Sequence, residues 1–293
     1  KIGNKGYICG GYNGKTTRLA DTWEYDIDND WWTQRADMPG TVRNAATGFP
    51  VGNKGYITTG YNPDQKYLAD TWEYDPETNT WRQMDDFKGG ARYYALGFGI
   101  DNYGYVGTGY NDNYLKDFYR FDPTAAAGSQ WTIVNGFGGQ KRQGATAFVI
   151  DGKAYVCGGQ NNNSDVSDFW RFDPSAATPW TQLRDIANTS DDDYDDDYTS
   201  IVRSYGVSFV IDGKAYLTLG STAGGSYYSN YWIYDPETDL WEGDDLTAFE
   251  GSTRIHAVCF STGTRGIIAT GGSGSSSYFD DTWELKPYEY EEE

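Results

Sequence analysis

Apolar and polar residues alternate along this chain in short bursts rather than in long runs. Asp21–Asp26 reads DTWEYD and Asp70–Asp75 repeats it, with Trp and Tyr set among polar residues at the two-residue period of a half-buried strand. Later segments keep the pattern: DFYRFD at Asp117, DFWRFD at Asp168, NYWIYD at Asn230 and DTWELK at Asp281. Before each stands a second apolar burst that ends in Gly, such as GYITTG at Gly55 and AYVCGG at Ala154. Glycine there marks a sharp backbone turn. A third kind of burst, RNAATGFPV from Arg43 or RQGATAFVI from Arg142, sets small residues beside one Phe, as a crowded position demands. A fourth, TWRQM from Thr80 or QWTIV from Gln130, follows the turn dipeptides Asp75-Pro76, Asp122-Pro123, Asp173-Pro174 and Asp235-Pro236. The chain is thus a succession of four-strand units.

The register of these units is rigid. Arg recurs at 43, 92, 142, 203 and 254, followed by Phe49, Phe98, Phe148, Phe209 and Phe260. Tyr56, Tyr105, Tyr155 and Tyr216 come next, with Ile267 as the one substitution, then Gly60, Gly109, Gly159, Gly220 and Gly271. Gly3–Ile8 reads GNKGYI, and so does Gly52–Ile57, so residue 1 falls at the end of a first strand. Four strands in a unit of about 50 residues describe a propeller blade, and six Gly-ending strands predict six blades in a single domain over 1–293. The frame places Trp23, Trp72, Trp170, Trp232 and Trp283 on third strands, and Trp31, Trp32, Trp81, Trp131, Trp180 and Trp241 on fourth strands. All are expected to pack between blades. For the broken first unit, the expectation is an upstream strand, with the segment from Pro287 lying outside, beside DTWELK.

These features resemble the kelch repeat: Arg ahead of a small-residue strand, a strand ending in Gly-Gly, an aromatic before Asp-Pro, then Trp. Tyr155–Trp180 carries the fullest copy, and the resemblance extends over nearly the whole chain. It implies an all-β, six-bladed propeller of four-stranded antiparallel blades. Galactose oxidase, a kelch-propeller enzyme, uses two histidines on copper; His256 is the only histidine here and lies in an expected strand, which excludes that activity.

Composition narrows function further. The chain of 293 residues is 17% aromatic, with 26 Tyr, and carries a net charge of -20. That charge excludes a nucleic-acid binder, which needs a basic stripe. No apolar run is long enough for a transmembrane helix, and no signal peptide is visible. Cys9, Cys157 and Cys259 form neither a disulfide framework nor a metal-ligand spacing; Cys9 and Cys157, at equivalent strand positions, are expected to be small core residues. Asp191–Asp197, reading DDDYDDD, lengthens one unit and is expected to be a mobile, solvated loop, since it lacks the glycine and spacing of an EF-hand.

In an up-and-down blade the start of the first strand and the end of the second share one side. Arg43, Arg92, Arg142, Arg203 and Arg254 therefore gather at one mouth of the channel. The loops after the Gly strands add Tyr12, Asn13, Tyr61, Asn62, Tyr110, Asn111, Gln160 and Asn161 to the same rim. Guanidinium, amide and phenol groups together suit a carboxylate-bearing or hydroxyl-rich ligand. The competing role for the arginines, favoured by their recurrence in every unit, is pairing with Asp21, Asp70, Asp117, Asp168 and Asp281 to tie neighbouring blades. No carboxylate pair stands out as acid and base. The leading function is a monomeric binding module for a protein or glycan, without cofactor or metal. A second reading follows from resemblance to six-bladed kelch proteins that are N-acetylneuraminate epimerases, whose sugar carboxylate would suit an arginine ring. A third is a structural part of a surface assembly. Composition resembles that of secreted, periplasmic or cell-surface bacterial kelch proteins.

Overall fold

The alternating segments become strands that hydrogen-bond in sequence order. The computed structural model describes residues 1–14, 16–243, 247–274 and 276–287. Blade two is Thr47–Val51, Lys54–Thr58, Thr71–Asp75 and Thr80–Gln83, antiparallel in that order. Blade three is Leu96–Ile100, Tyr103–Gly107, Phe118–Phe121 and Trp131–Val134. Blade four is Thr146–Ile150, Lys153–Cys157, Trp170–Phe172 and Trp180–Gln182, and blade five is Val207–Ile211, Lys214–Thr218, Trp232–Asp235 and Leu240–Glu242. Among the described residues blades one and six have three strands each: Lys5–Tyr12, Arg18–Asp26 and Trp31–Arg35, and Val258–Ser261, Gly266–Ala269 and Thr282–Leu285. Ile2 bridges Lys5 as Val51 pairs with Lys54. The expected course of the segment beyond Pro287 lies outside the described residues.

Recurrent residues have recurrent jobs. Each inner Phe packs on the second strand of the following blade, where only a small residue fits. A Cβ on Gly104 would stand 2.1 Å from the Phe49 ring, and one on Gly6 would stand 2.4 Å from Phe260. The latter contact joins blade six to blade one. Trp32 Nε1 donating to Thr282 Oγ1 at 3.0 Å, and Arg265 Nη2 donating to Ile27 O at 3.0 Å, complete that junction. Fourth-strand tryptophans also reach the preceding blade: Trp81 Nε1 donates to Ala36 O and Trp131 Nε1 to Asp85 O. Trp31 departs from the expectation that every Trp packs, being 62% exposed. Successive side chains alternate across a strand, and Trp32 already takes the inward place against Tyr25 and Phe260. In the turn before the outermost strand, Asp26, Asp75, Asp122, Asp173 and Asp235 each accept the backbone N–H two residues on, the Asx geometry that Asp-Pro prefigures in the last four.

The acidic insertion differs from its expectation as well. Five of its six aspartates are exposed, but Asp195 is fully buried and accepts Thr189 N–H, Ser190 N–H and Ser190 Oγ at 2.9–3.0 Å. Burial alone would raise its pKa, yet these bonds hold it below the usual carboxylate range. Tyr198 and Ile201, just beyond, join the core between blades four and five, and Trp241 N–H donates to Tyr198 Oη at 2.7 Å. Charge count alone missed these anchors.

Candidate functional site

The five repeated arginines are at most 1% exposed. Nε of each donates to the carbonyl two residues earlier, and Nη1 to the residue before the strand-ending Gly: Thr59, Thr108, Gly158, Leu219 or Thr270. Four pair with the Asp that opens the third strand of their own blade: Arg43–Asp70, Arg92–Asp117, Arg142–Asp168 and Arg254–Asp281. The Arg254 hydrogen bond keeps the Asp281 pKa below the ordinary carboxylate value. Asp21 instead accepts the Trp23 indole. The ion pairs therefore lie within blades, not between neighbours as expected. The link between blades is the arginine backbone, whose carbonyl accepts Gly11, Gly60, Gly109, Gly159 or Gly220 N–H at 2.8–2.9 Å from the preceding blade. No guanidinium of this set faces solvent.

The same turn explains why one Gly of each doublet erodes. Its first residue sits at φ 58–65° in Thr59, Thr108, Gly158, Leu219 and Thr270, a left-handed conformation that Thr or Leu tolerates at some cost. The second sits at φ 87–113° in Gly60, Gly109, Gly159, Gly220 and Gly271, beyond that well, and its Cβ would press on backbone atoms.

Around this framework lie positions that share a register but differ in residue from blade to blade. The residue after each repeated Arg is Asn44, Tyr93, Gln143, Ser204 or Ile255, and it bridges the residue after the strand-ending Gly: Tyr61, Tyr110, Gln160, Ser221 or Gly272. The latter set, with Tyr12 of blade one, pairs in turn with Arg18, Tyr67, Tyr114, Asp165, Tyr227 and Tyr278. One step further along are Ala45, Tyr94, Gly144, Tyr205 and His256, all at φ 52–64°. Their backbones form a chain from blade two to blade six, each N–H from Tyr94 onward donating to the previous member at 2.8–3.3 Å.

On blades one to three these positions form a belt of partly exposed aromatic rings. Tyr61, Tyr67 and Tyr93 lie within 6.5 Å of one another, with Tyr67 and Tyr93 stacked at 5.5 Å. Tyr93 touches Tyr94 at 4.7 Å and Tyr110 at 5.7 Å. Tyr94 stacks on His256 at 5.0 Å and 6°, and Tyr205 closes against both, at 4.8 and 4.4 Å. Blades three and six are opposite in a ring of six, so this stack spans the mouth of the channel. Gln143 and Gln160 both donate to Tyr205 Oη, at 2.8 and 2.7 Å. The imidazole is exposed, yet its packing against the rings lowers its pKa below that of free histidine. It lies just before the Val258–Ser261 strand rather than inside it.

Of the rim residues expected from sequence, Tyr61, Tyr110 and Gln160 join this cluster, and Tyr12 flanks it through Arg18. The asparagines serve turns. Asn62 is buried, donates to Val42 O and caps Asp64 N–H; Asn13 accepts Thr17 N–H; Asn111 N–H reaches Asn113 O; and Asn161 pairs with Ser164. Arg18, Tyr67, Tyr93, Tyr94, Tyr114, Gln143, Tyr205 and His256 were not singled out as site residues. Their signal was present as variation at fixed offsets from an invariant Arg and Gly.

Comparisons with known proteins agree with this architecture. The family model for the KLHDC2/KLHL20/DRC7 Kelch-repeats domain matches residues 1–139, and the Kelch motif model matches residues 141–183. A comparison with curated proteins found no match. Among solved structures, the one titled "Structure of YjhT" is similar with a TM-score of 0.76 at 15% identity, over 95% of this chain and 90% of that one. No helix among the described residues is long and apolar enough to cross a membrane.

Proposed function

This chain belongs to the kelch-repeat β-propellers, and from that premise we propose that it is a recognition module whose protein or glycan ligand seats on the tyrosine belt and the closed channel mouth. The supporting observation is the belt itself: partly exposed rings from Tyr61 to His256, in continuous contact, on positions that the scaffold leaves free to vary. Tyrosine offers large rigid contact area at low entropic cost and a polar edge, which is why it dominates recognition surfaces. The second reading, interconversion of sialic acid anomers, drew on the arginine ring as carboxylate receptor, and that ring is buried. As part of the same proposal the protein acts as a monomer, and its Tyr-rich, Met-poor composition supports a secreted, periplasmic or cell-surface bacterial protein.

The test is a glycan and peptide binding screen with wild type, Tyr94→Ala and Ile133→Ser. Ile133 is 57% exposed on the outer strand of blade three, away from the belt. Tyr94→Ala should weaken binding of any hit at least about ten-fold, the loss of one well-packed aromatic contact, and Ile133→Ser should not. Binding indifferent to Tyr94 refutes the proposal.

A further inference from the structure

Arg18 is unlike the repeated arginines. Its guanidinium lies 4.1 Å from the Tyr12 ring centroid and 5.6 Å from that of Tyr61, and its Nε donates to Asn44 Oδ1 at 2.6 Å. Three contacts thus orient the group, while among the described residues no carboxylate pairs with it and Nη1 and Nη2 have no hydrogen-bond partner. Partly exposed at the rim, its charge reaches Tyr94, where it opposes the burial that raises the tyrosine pKa to about 12. In a chain of net charge -20, a preoriented cation with no counter-ion among the described residues is suited to receive an anion.

Resting on the recognition reading above, we propose that Arg18 binds the single carboxylate of an acidic sugar whose ring stacks on the adjoining tyrosines. The neighbouring side chains favour a sugar over a peptide. Tyr12, Tyr61, Tyr93, Tyr94 and Asn44 all offer polar edges, and the tyrosines add flat faces, which suits a ring that is C–H on its faces and hydroxyl at its rim. One unpaired guanidinium accommodates one carboxylate, and the protein's own negative field repels a polyanion. Tyr12 and Tyr61 hold the guanidinium plane, Asn44 holds Nε, and the Nη edge stays available for a two-point bond.

Isothermal titration with a glucuronate-capped oligosaccharide and its glucose-capped twin tests this. Wild type should prefer the acidic twin about ten-fold at low salt, with the preference shrinking as salt rises. Arg18→Gln should erase the preference, leaving the two twins bound equally, and Arg18→Lys should restore only part of it, since an ammonium lacks the two-point geometry. Equal affinity for both twins, a preference that survives Arg18→Gln, or Arg18-dependent binding of an acidic peptide in place of either sugar overturns the inference. If the neutral twin still binds through Tyr94, the recognition reading stands and the assignment of Arg18 alone fails.

Discussion

Arg142 donates to Gln140 O and Gly158 O at 3.1 Å and pairs with Asp168 with no exposure to solvent. Replacing it by Ala strands a largely buried carboxylate and two carbonyls, so Arg142→Ala should cost about 3–5 kcal/mol in urea unfolding. Arg18→Gln, at the solvated rim, should change stability by less than about 0.5 kcal/mol. A ligand role for Arg142 would reverse that order. His256 gives a pH signature. Its folded-state pKa is lowered from 6.5 toward about 4, so the fold favours the neutral ring. Above pH 6.5 neither state holds the proton and stability is complete; as pH falls from 6.5 toward 4 the unfolded chain is protonated first and stability is lost. Wild type should therefore lose more stability over that window than His256→Gln. The exposed edge of the ring keeps the difference small, and Tyr94 and Tyr205, whose pKa values burial raises, stay neutral throughout. Parallel profiles for the two proteins would refute the assignment.

At the scale of one blade, blade five shows how an element accommodates a local change. Its repeated arginine, Arg203, meets Asn230 where other blades supply Asp, and burial without a carboxylate pulls the guanidinium pKa down. Ser200, at the end of the acidic insertion, accepts both Asn230 Nδ2 and Trp232 Nε1, so the insertion is stitched to the third strand it precedes. An Asp at 230 would pair with Arg203 and could still bond the Ser200 hydroxyl. Asn230→Asp should thus raise stability by about 1 kcal/mol, the gain of a charge-assisted bond over a neutral one, and Tm by about 2 °C. A lower Tm would mean that the Ser200–Asn230 bond matters more than the missing ion pair.

For the whole molecule the decisive junction is between the last blade and the first. Phe260 carries it, packed over Gly6 beside Trp32, Tyr25 and Ile267. Phe260→Ala should cost about 3–5 kcal/mol and raise amide exchange most in Lys5–Tyr12 and Gly266–Ala269, the two strands that meet there. Uniform exchange across all six blades would show that the ring opens elsewhere.

Blade number, strand order and turn chemistry were legible in the chain because each depends on contacts that recur. Phe49 meets Gly104 as Phe209 meets Gly266, and Asp75 caps its turn as Asp173 does. Repeated contacts demand repeated residues, and repetition is visible in one dimension. The functional side was harder to read for the converse reason: repetition marked Arg43 and its counterparts as prominent, and prominence there reflects burial. That Trp31 faces out and Asp195 faces in depends on which neighbours fill the space beside them. That Tyr94, Tyr205 and His256 touch follows only from closure of the ring, which brings together side chains from blades three, five and six. No local pattern encodes a meeting across the axis, because residues so far apart in sequence share no period; the tertiary structure alone places them within reach of one ligand.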